Sequence, residues 1–104
     1  MERFGFQMYL TDESVIPEYE RLHQPVADDV LEAHREAGIR NYTIFRDGLR
    51  LIAYFEAEDP EAALDRLADS PVMPGWWEKT GALMETDTQG RPKMDPLPEV
   101  FHME

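Results

Sequence analysis

Residues Arg3 to Leu10 alternate: Phe4, Phe6, Met8 and Leu10 fall on one side, Gly5, Gln7 and Tyr9 on the other. A period of two is that of a half-buried strand. Thr11 to Ser14 are polar turn formers, and Pro17 suits a first helical turn, where its missing N–H costs nothing. From Glu18 to Ala37 the spacing becomes helical. Tyr19, Leu22 and Val26, then Val30, Leu31 and His34, recur every three or four residues. Pro25 lies inside this stretch and predicts a break just after His23. Gly38 is placed to cap the helix end.

Two β-rich runs follow, Ile39 to Arg46 and Leu49 to Glu56, separated by Asp47-Gly48. Asp-Gly between such runs predicts a tight hairpin. Asp59-Pro60-Glu61 opens a second helix, with acidic residues at its positive end and Ala62, Ala63, Leu64, Leu67 and Ala68 inside. Gly75-Trp76-Trp77 begins another short helix that runs to about Met84. Glu85 to Pro98 reads as a long loop, and Glu99 to Met103 as a final short strand.

The order β-α-β-β-α-β predicts an α+β, ferredoxin-like fold: an antiparallel sheet with helices on one face. At 104 residues the chain has room for one hydrophobic core, hence a single domain over 1–104. The uncovered sheet face needs a partner. Two such sheets packed together form a dimeric α+β barrel, so a homodimer is expected.

Charge and composition narrow the partners. Ten basic and 22 acidic residues give a formal charge of −12, which repels phosphate backbones and anionic lipid heads. Nucleic acid and membrane are therefore not expected partners, while a neutral small molecule is compatible. With no cysteine, disulfides, thiolate metal sites and thiol nucleophiles are excluded. No apolar stretch approaches the roughly 20 residues that span a bilayer, and the N-terminus lacks a signal pattern, so the cytoplasm is the expected location.

His23, His34 and His102 are the side chains that titrate near neutrality. A histidine taken alone is more often structural than catalytic. His23 stands out because Tyr19 lies one helical turn before it, bringing both polar tips to one face. Its place beside the Pro25 break, near unpaired carbonyls, is expected to favour its protonated form. His34 falls on the helical repeat and reads as a boundary residue; His102 is intermediate. Trp76 and Trp77 read either as one core anchor plus one interface residue, or as indole faces for the C–H face of a sugar. Tyr42, in the second strand, is either a good strand former or a further phenol for hydroxyl recognition. No dinucleotide fingerprint, P-loop, zinc-protease motif or nucleophile elbow is present. One histidine, two tyrosines and two tryptophans suit simple proton transfer on a small neutral polyol.

Taken in order, four segments resemble the L-rhamnose mutarotases: Tyr19-Glu20-Arg21-Leu22-His23-Gln24-Pro25, Asn41-Tyr42-Thr43-Ile44, Trp76-Trp77 followed by Met84, and Glu99-Val100-Phe101-His102. Each is weak alone; four in sequence cover nearly the whole chain. The resemblance implies the dimeric α+β barrel and interconversion of the α and β anomers of L-rhamnose, or of a related 6-deoxy or aldose sugar, with no metal or cofactor. It implies His23 as the catalytic proton donor, with Tyr19, Tyr42, Trp76 and Trp77 contacting the sugar. Two other functions fit the fold class: a non-catalytic sugar-binding module, and a haem- or quinone-handling monooxygenase. Neither accounts for the four ordered motifs.

Overall fold

The computed structural model describes residues 1–104. Strand β1 (Glu2–Tyr9) leads through a 3₁₀ turn (Glu13–Val15) into helix α1 (Ile16–Leu22), then α2 (Asp28–Glu36). Strands β2 (Arg40–Asp47) and β3 (Arg50–Ala57) form a hairpin, followed by α3 (Pro60–Ala68), α4 (Met73–Gly81) and β4 (Asp95–Leu97). The sheet is antiparallel with strand order β2-β3-β1-β4. This is the expected ferredoxin-like arrangement, with the helix pairs α1–α2 and α3–α4 in the two helical positions. No helix is long and apolar enough to cross a membrane.

The local reasons are those of the sequence. Pro17 sits in the first turn of α1, and that helix ends at His23, two residues before Pro25. Asp59 caps α3 by accepting from the Ala62 N–H at 3.2 Å. Gly38 ends the second helix with φ +93°, a conformation that a β-carbon disfavours. Phe6, Met8 and Leu10 of β1 and its extension, and Leu51, Ala53, Phe55 and Ala57 of β3, are buried on the helix side. There they meet Val30 and Ala33 of α2, Ala63 and Leu67 of α3, and Met73 at the start of α4.

Three expectations are corrected. The hairpin pairs Asp47 with Arg50, so its two-residue loop is Gly48-Leu49 rather than Asp47-Gly48. Gly48 takes φ +62° at the first loop position, the arrangement that matches strand twist when glycine leads. The last strand lies at Asp95–Leu97, inside the segment read as a loop, and Glu99 to Met103 is not a strand. Register explains both. Gly5 pairs with Leu97, so Glu99 reaches Arg3, with which it forms a 2.7 Å ion pair. Beyond that point only Glu2 of β1 remains, and the tail runs off the sheet. Pro96 and Pro98 are tolerated because β4 is an edge strand.

One irregularity positions the site. Arg40 pairs with Glu56 and Thr43 with Tyr54, so Asn41 and Tyr42 together oppose the single residue Phe55. This bulge resets the alternation and turns both Ile39 and Tyr42 toward the helices. Asn41 has φ +54°, the only positive φ outside glycine in the chain. Asparagine tolerates that conformation better than most residues, and its side chain donates to Glu56 at 3.1 Å.

Candidate functional site

Between the helix side of the sheet and helices α1 to α4 lies a cavity of about 610 Å³. The size is that of a small-molecule site, and its walls are mostly apolar with a few polar groups. Tyr19, His23, Tyr42, Trp76 and Trp77 all line it. The five residues singled out in the sequence are therefore brought to one place.

They arrive from three elements: α1, β2 and α4. Tyr19, in α1, is buried, and His23 caps the same helix one turn later. Their rings lie 4.4 Å apart, centroid to centroid. His23 also meets Trp76 of α4 edge-on, at 5.2 Å and 71°. The adjacent tryptophans do not divide between core and surface: both are half-buried and both face the cavity. Tyr42 packs against Phe6 and Phe55 of the sheet while keeping 37% of its surface accessible.

The state of His23 follows from its contacts. Its Nδ1 lies 2.7 Å from the Tyr19 carbonyl oxygen, which can only accept, so Nδ1 carries the hydrogen. Nε2 is left as a free lone pair. Burial lowers the His23 pKa, and the hydrogen bond to the Tyr19 carbonyl opposes this more weakly. The helix end does not favour the imidazolium, as the Pro25 break suggested; desolvation wins, and His23 is a neutral base at neutral pH. Burial raises the pKa of Tyr19, and burial together with Tyr19 raises that of Tyr42. Both phenols remain protonated and can donate as well as accept.

The Tyr19 hydroxyl, the two indole N–H groups and the free imidazole nitrogen make no hydrogen bond within the chain, yet no buried side-chain nitrogen or oxygen is left without a partner. These groups are accordingly not fully buried, and the residues that carry them all line the cavity.

The sequence reading missed two parts of the wall. His34, read as a boundary residue, lines the same cavity, with its ring 5.5 Å from that of Tyr42. The segment between α4 and β4, read as plain loop, contributes Asp87, Arg91, Lys93 and Met94. It is ordered by Asp87, whose carboxylate accepts from the Gln89 and Arg91 N–H groups at 2.8 and 3.0 Å. Gly90, at φ +78°, completes the turn. Asp87 followed three residues later by glycine was the available signal for that turn. His102 lies in the exposed tail, away from the cavity lining.

The chain as a whole resembles known proteins. A family model described as L-rhamnose mutarotase matches residues 3–103. The L-rhamnose mutarotases of Jannaschia sp. (strain CCS1) and Acidiphilium cryptum (strain JF-5) are 33% and 35% identical, each alignment covering 99% of both chains. The crystal structure of an L-rhamnose mutarotase from Formosa agariphila is similar over the whole of both chains, with a TM-score of 0.85 at 25% identity. A dimeric ferredoxin-like protein from an uncultured marine organism shares the fold at 15% identity, with a TM-score of 0.60 over 97% of each chain. A match running from β1 into the C-terminal tail, together with relatives aligned end to end, makes this chain a member of the L-rhamnose mutarotase family, isomerases that act on carbohydrates.

Proposed function

We propose that the cavity binds L-rhamnose, or a related 6-deoxy or aldose sugar, and interconverts its anomers with His23 as the proton-transfer group. The observation that carries this reading is the His23 ring in the cavity wall, held through Nδ1 to the Tyr19 carbonyl and with Trp76 against its edge.

Opening a pyranose moves one proton from the anomeric hydroxyl to the ring oxygen while the C1–O5 bond breaks. Both oxygens are attached to C1, so one imidazole can serve them in turn. Nε2 takes the anomeric proton and, as imidazolium, returns it to the ring oxygen. Rotation about C1–C2 presents the other face of the aldehyde, and the reverse transfers close the ring. The Nδ1–H bond to the Tyr19 carbonyl holds the ring plane throughout and supports the transient positive charge. Tyr19 and Tyr42 supply phenols to sugar oxygens, and Trp76 and Trp77 supply flat apolar faces for the C–H side of the ring. A positioned acid/base contributes about 10²–10⁴-fold.

Two copies are proposed to pair through the open sheet face. Phe45 is 65% exposed on that face, and beyond β4 the tail carries Val100, Phe101 and Met103 almost uncovered. Apolar surface of this kind calls for a partner, and a second copy forms the α+β barrel.

The test is magnetisation-transfer NMR on equilibrated L-rhamnose. Saturable acceleration of anomer exchange supports the reading. Saturable binding with no acceleration replaces it with the non-catalytic binding module.

A further inference from the structure

We infer that His34 is a second sugar-recognising imidazole, accepting a substrate hydroxyl beside Tyr42 and so determining which sugars the site prefers. This rests on the reading of the cavity as a sugar site and adds a residue to it.

The geometry repeats that of His23. His34 stands in the last turn of α2, and its Nδ1 lies 2.7 Å from the Val30 carbonyl oxygen one turn earlier. That carbonyl can only accept, so Nδ1–H donates and Nε2 keeps its lone pair. Nothing in the chain bonds to Nε2, and no buried side-chain nitrogen is left orphaned, so it keeps accessible surface on a residue that lines the cavity. Each imidazole has a phenol beside it, Tyr19 for His23 and Tyr42 for His34. Two pairs of imidazole and phenol therefore serve one cavity.

Burial lowers the pKa of His34, with the Val30 hydrogen bond opposing it. The charged side chains on the wall, Asp87, Arg91 and Lys93, come from the loop after α4, and none bonds to His34. A neutral acceptor there is costly to cover with an apolar ligand, because desolvating an unpaired polar atom is unfavourable. Its own helix shows the cheaper choice: Val30 and Leu31 line the same cavity with carbon alone. The chemistry that satisfies Nε2 is a hydroxyl donor, and the Tyr42 phenol can bond the same hydroxyl or its neighbour. One imidazole, His23, suffices for the proton transfer, which leaves His34 to recognition.

The test compares wild type with His34→Leu and His34→Gln. The first removes the acceptor; the second offers an amide oxygen close to the Nε2 position. Anomer exchange on L-rhamnose gives KM and kcat. Binding of 1,5-anhydro-L-rhamnitol, which lacks the anomeric hydroxyl and cannot mutarotate, is followed by tryptophan fluorescence. His34→Leu is expected to raise KM and the analogue's Kd about three- to tenfold, the effect of one lost neutral hydrogen bond, with a smaller change in kcat. His34→Gln should recover part of the loss. The leucine variant should also narrow the preference of L-rhamnose over its singly deoxygenated analogues at one ring position. A wild type that accelerates exchange, alongside a leucine variant with unchanged KM, Kd and preference, overturns the role of His34 alone. A wild type that neither binds the analogue nor accelerates exchange overturns the sugar site itself.

Discussion

Replacing Asn41 with valine tests the link between backbone geometry and the site. Asn41 holds φ +54° at the bulge that turns Tyr42 into the cavity. A left-handed conformation costs a residue with a β-carbon about 1–2 kcal/mol, and valine, branched at that carbon, belongs at the upper end. Valine also loses the exposed 3.1 Å bond to Glu56, worth a fraction of the roughly 1 kcal/mol of a typical hydrogen bond. The sum is about 2 kcal/mol, or a fall in Tm of roughly 8–16 °C for a domain of this size. Asn41→Gly loses the same side-chain bond but relaxes the backbone, and should stay within about 0.5 kcal/mol of wild type. If the valine chain instead expels the bulge, the alternation slips by one and Tyr42 faces the outer side of the sheet. KM for the sugar then rises while the fold persists. Thermal melts by circular dichroism at one protein concentration, with KM from NMR exchange, read both effects. A valine variant with wild-type Tm and KM refutes this reasoning, as does a glycine variant as damaged as the valine one.

Four further outcomes follow from the same structure. His23 and His34 both have pKa values pushed below 6.5 by burial, so as pH falls through that value the unfolded chain takes up protons that the folded chain refuses. These two groups therefore weaken stability progressively below about pH 6.5 and leave it unchanged above about 7.5; urea midpoints across pH 5–8, with the double His→Gln variant flattening the slope, check this. With His23 as the proposed proton-transfer group, the exchange rate should hold from pH 8 down to about 6.5 and fall with a midpoint below that, whereas a midpoint above 7 contradicts the assigned state. A β-carbon on Gly81 would stand 3.0 Å from the Gly90 carbonyl oxygen and 3.3 Å from a Thr86 methyl, so Gly81→Ala should displace the Asp87 turn from the cavity and raise KM, with only a small change in the far-UV spectrum. Phe45→Asp places a charge on the proposed dimer interface and should lower the sedimentation coefficient from that of a dimer to that of a monomer; coefficients identical to wild type at all concentrations would rule out that face as the interface.

How much of this was legible in the residues differs from element to element. The alternation of Phe4, Phe6, Met8 and Leu10 and the punctuation at Pro17, Pro25, Gly38 and Asp59 are local signals, and the structure follows them. Gly48-Leu49 displaced the Asp47-Gly48 turn because Asp47 pairs with Arg50, a cross-strand fact. Strand β4 was hidden because its three residues, with proline in the middle, have no strand pattern of their own and exist by pairing with β1. For the site, Tyr19 and His23 were legible as neighbours one helical turn apart. That Trp76 would reach His23 depended on how α4 lies over α1. His34 shares a helical stripe with Val30, and nothing local tells which part of the stripe meets core and which meets cavity. The bulge at Asn41 likewise requires the register of β2 on β3.

His23 is proposed to carry the proton, as distinct from merely lining a sugar pocket. Exchange on L-rhamnose by His23→Asn, measured by magnetisation transfer alongside sugar binding by tryptophan fluorescence, separates the two. Binding is expected to stay within a few-fold of wild type while the enzymatic exchange rate falls about 10²–10⁴-fold. A variant that binds the sugar and exchanges its anomers at a rate near wild type would contradict this role for His23.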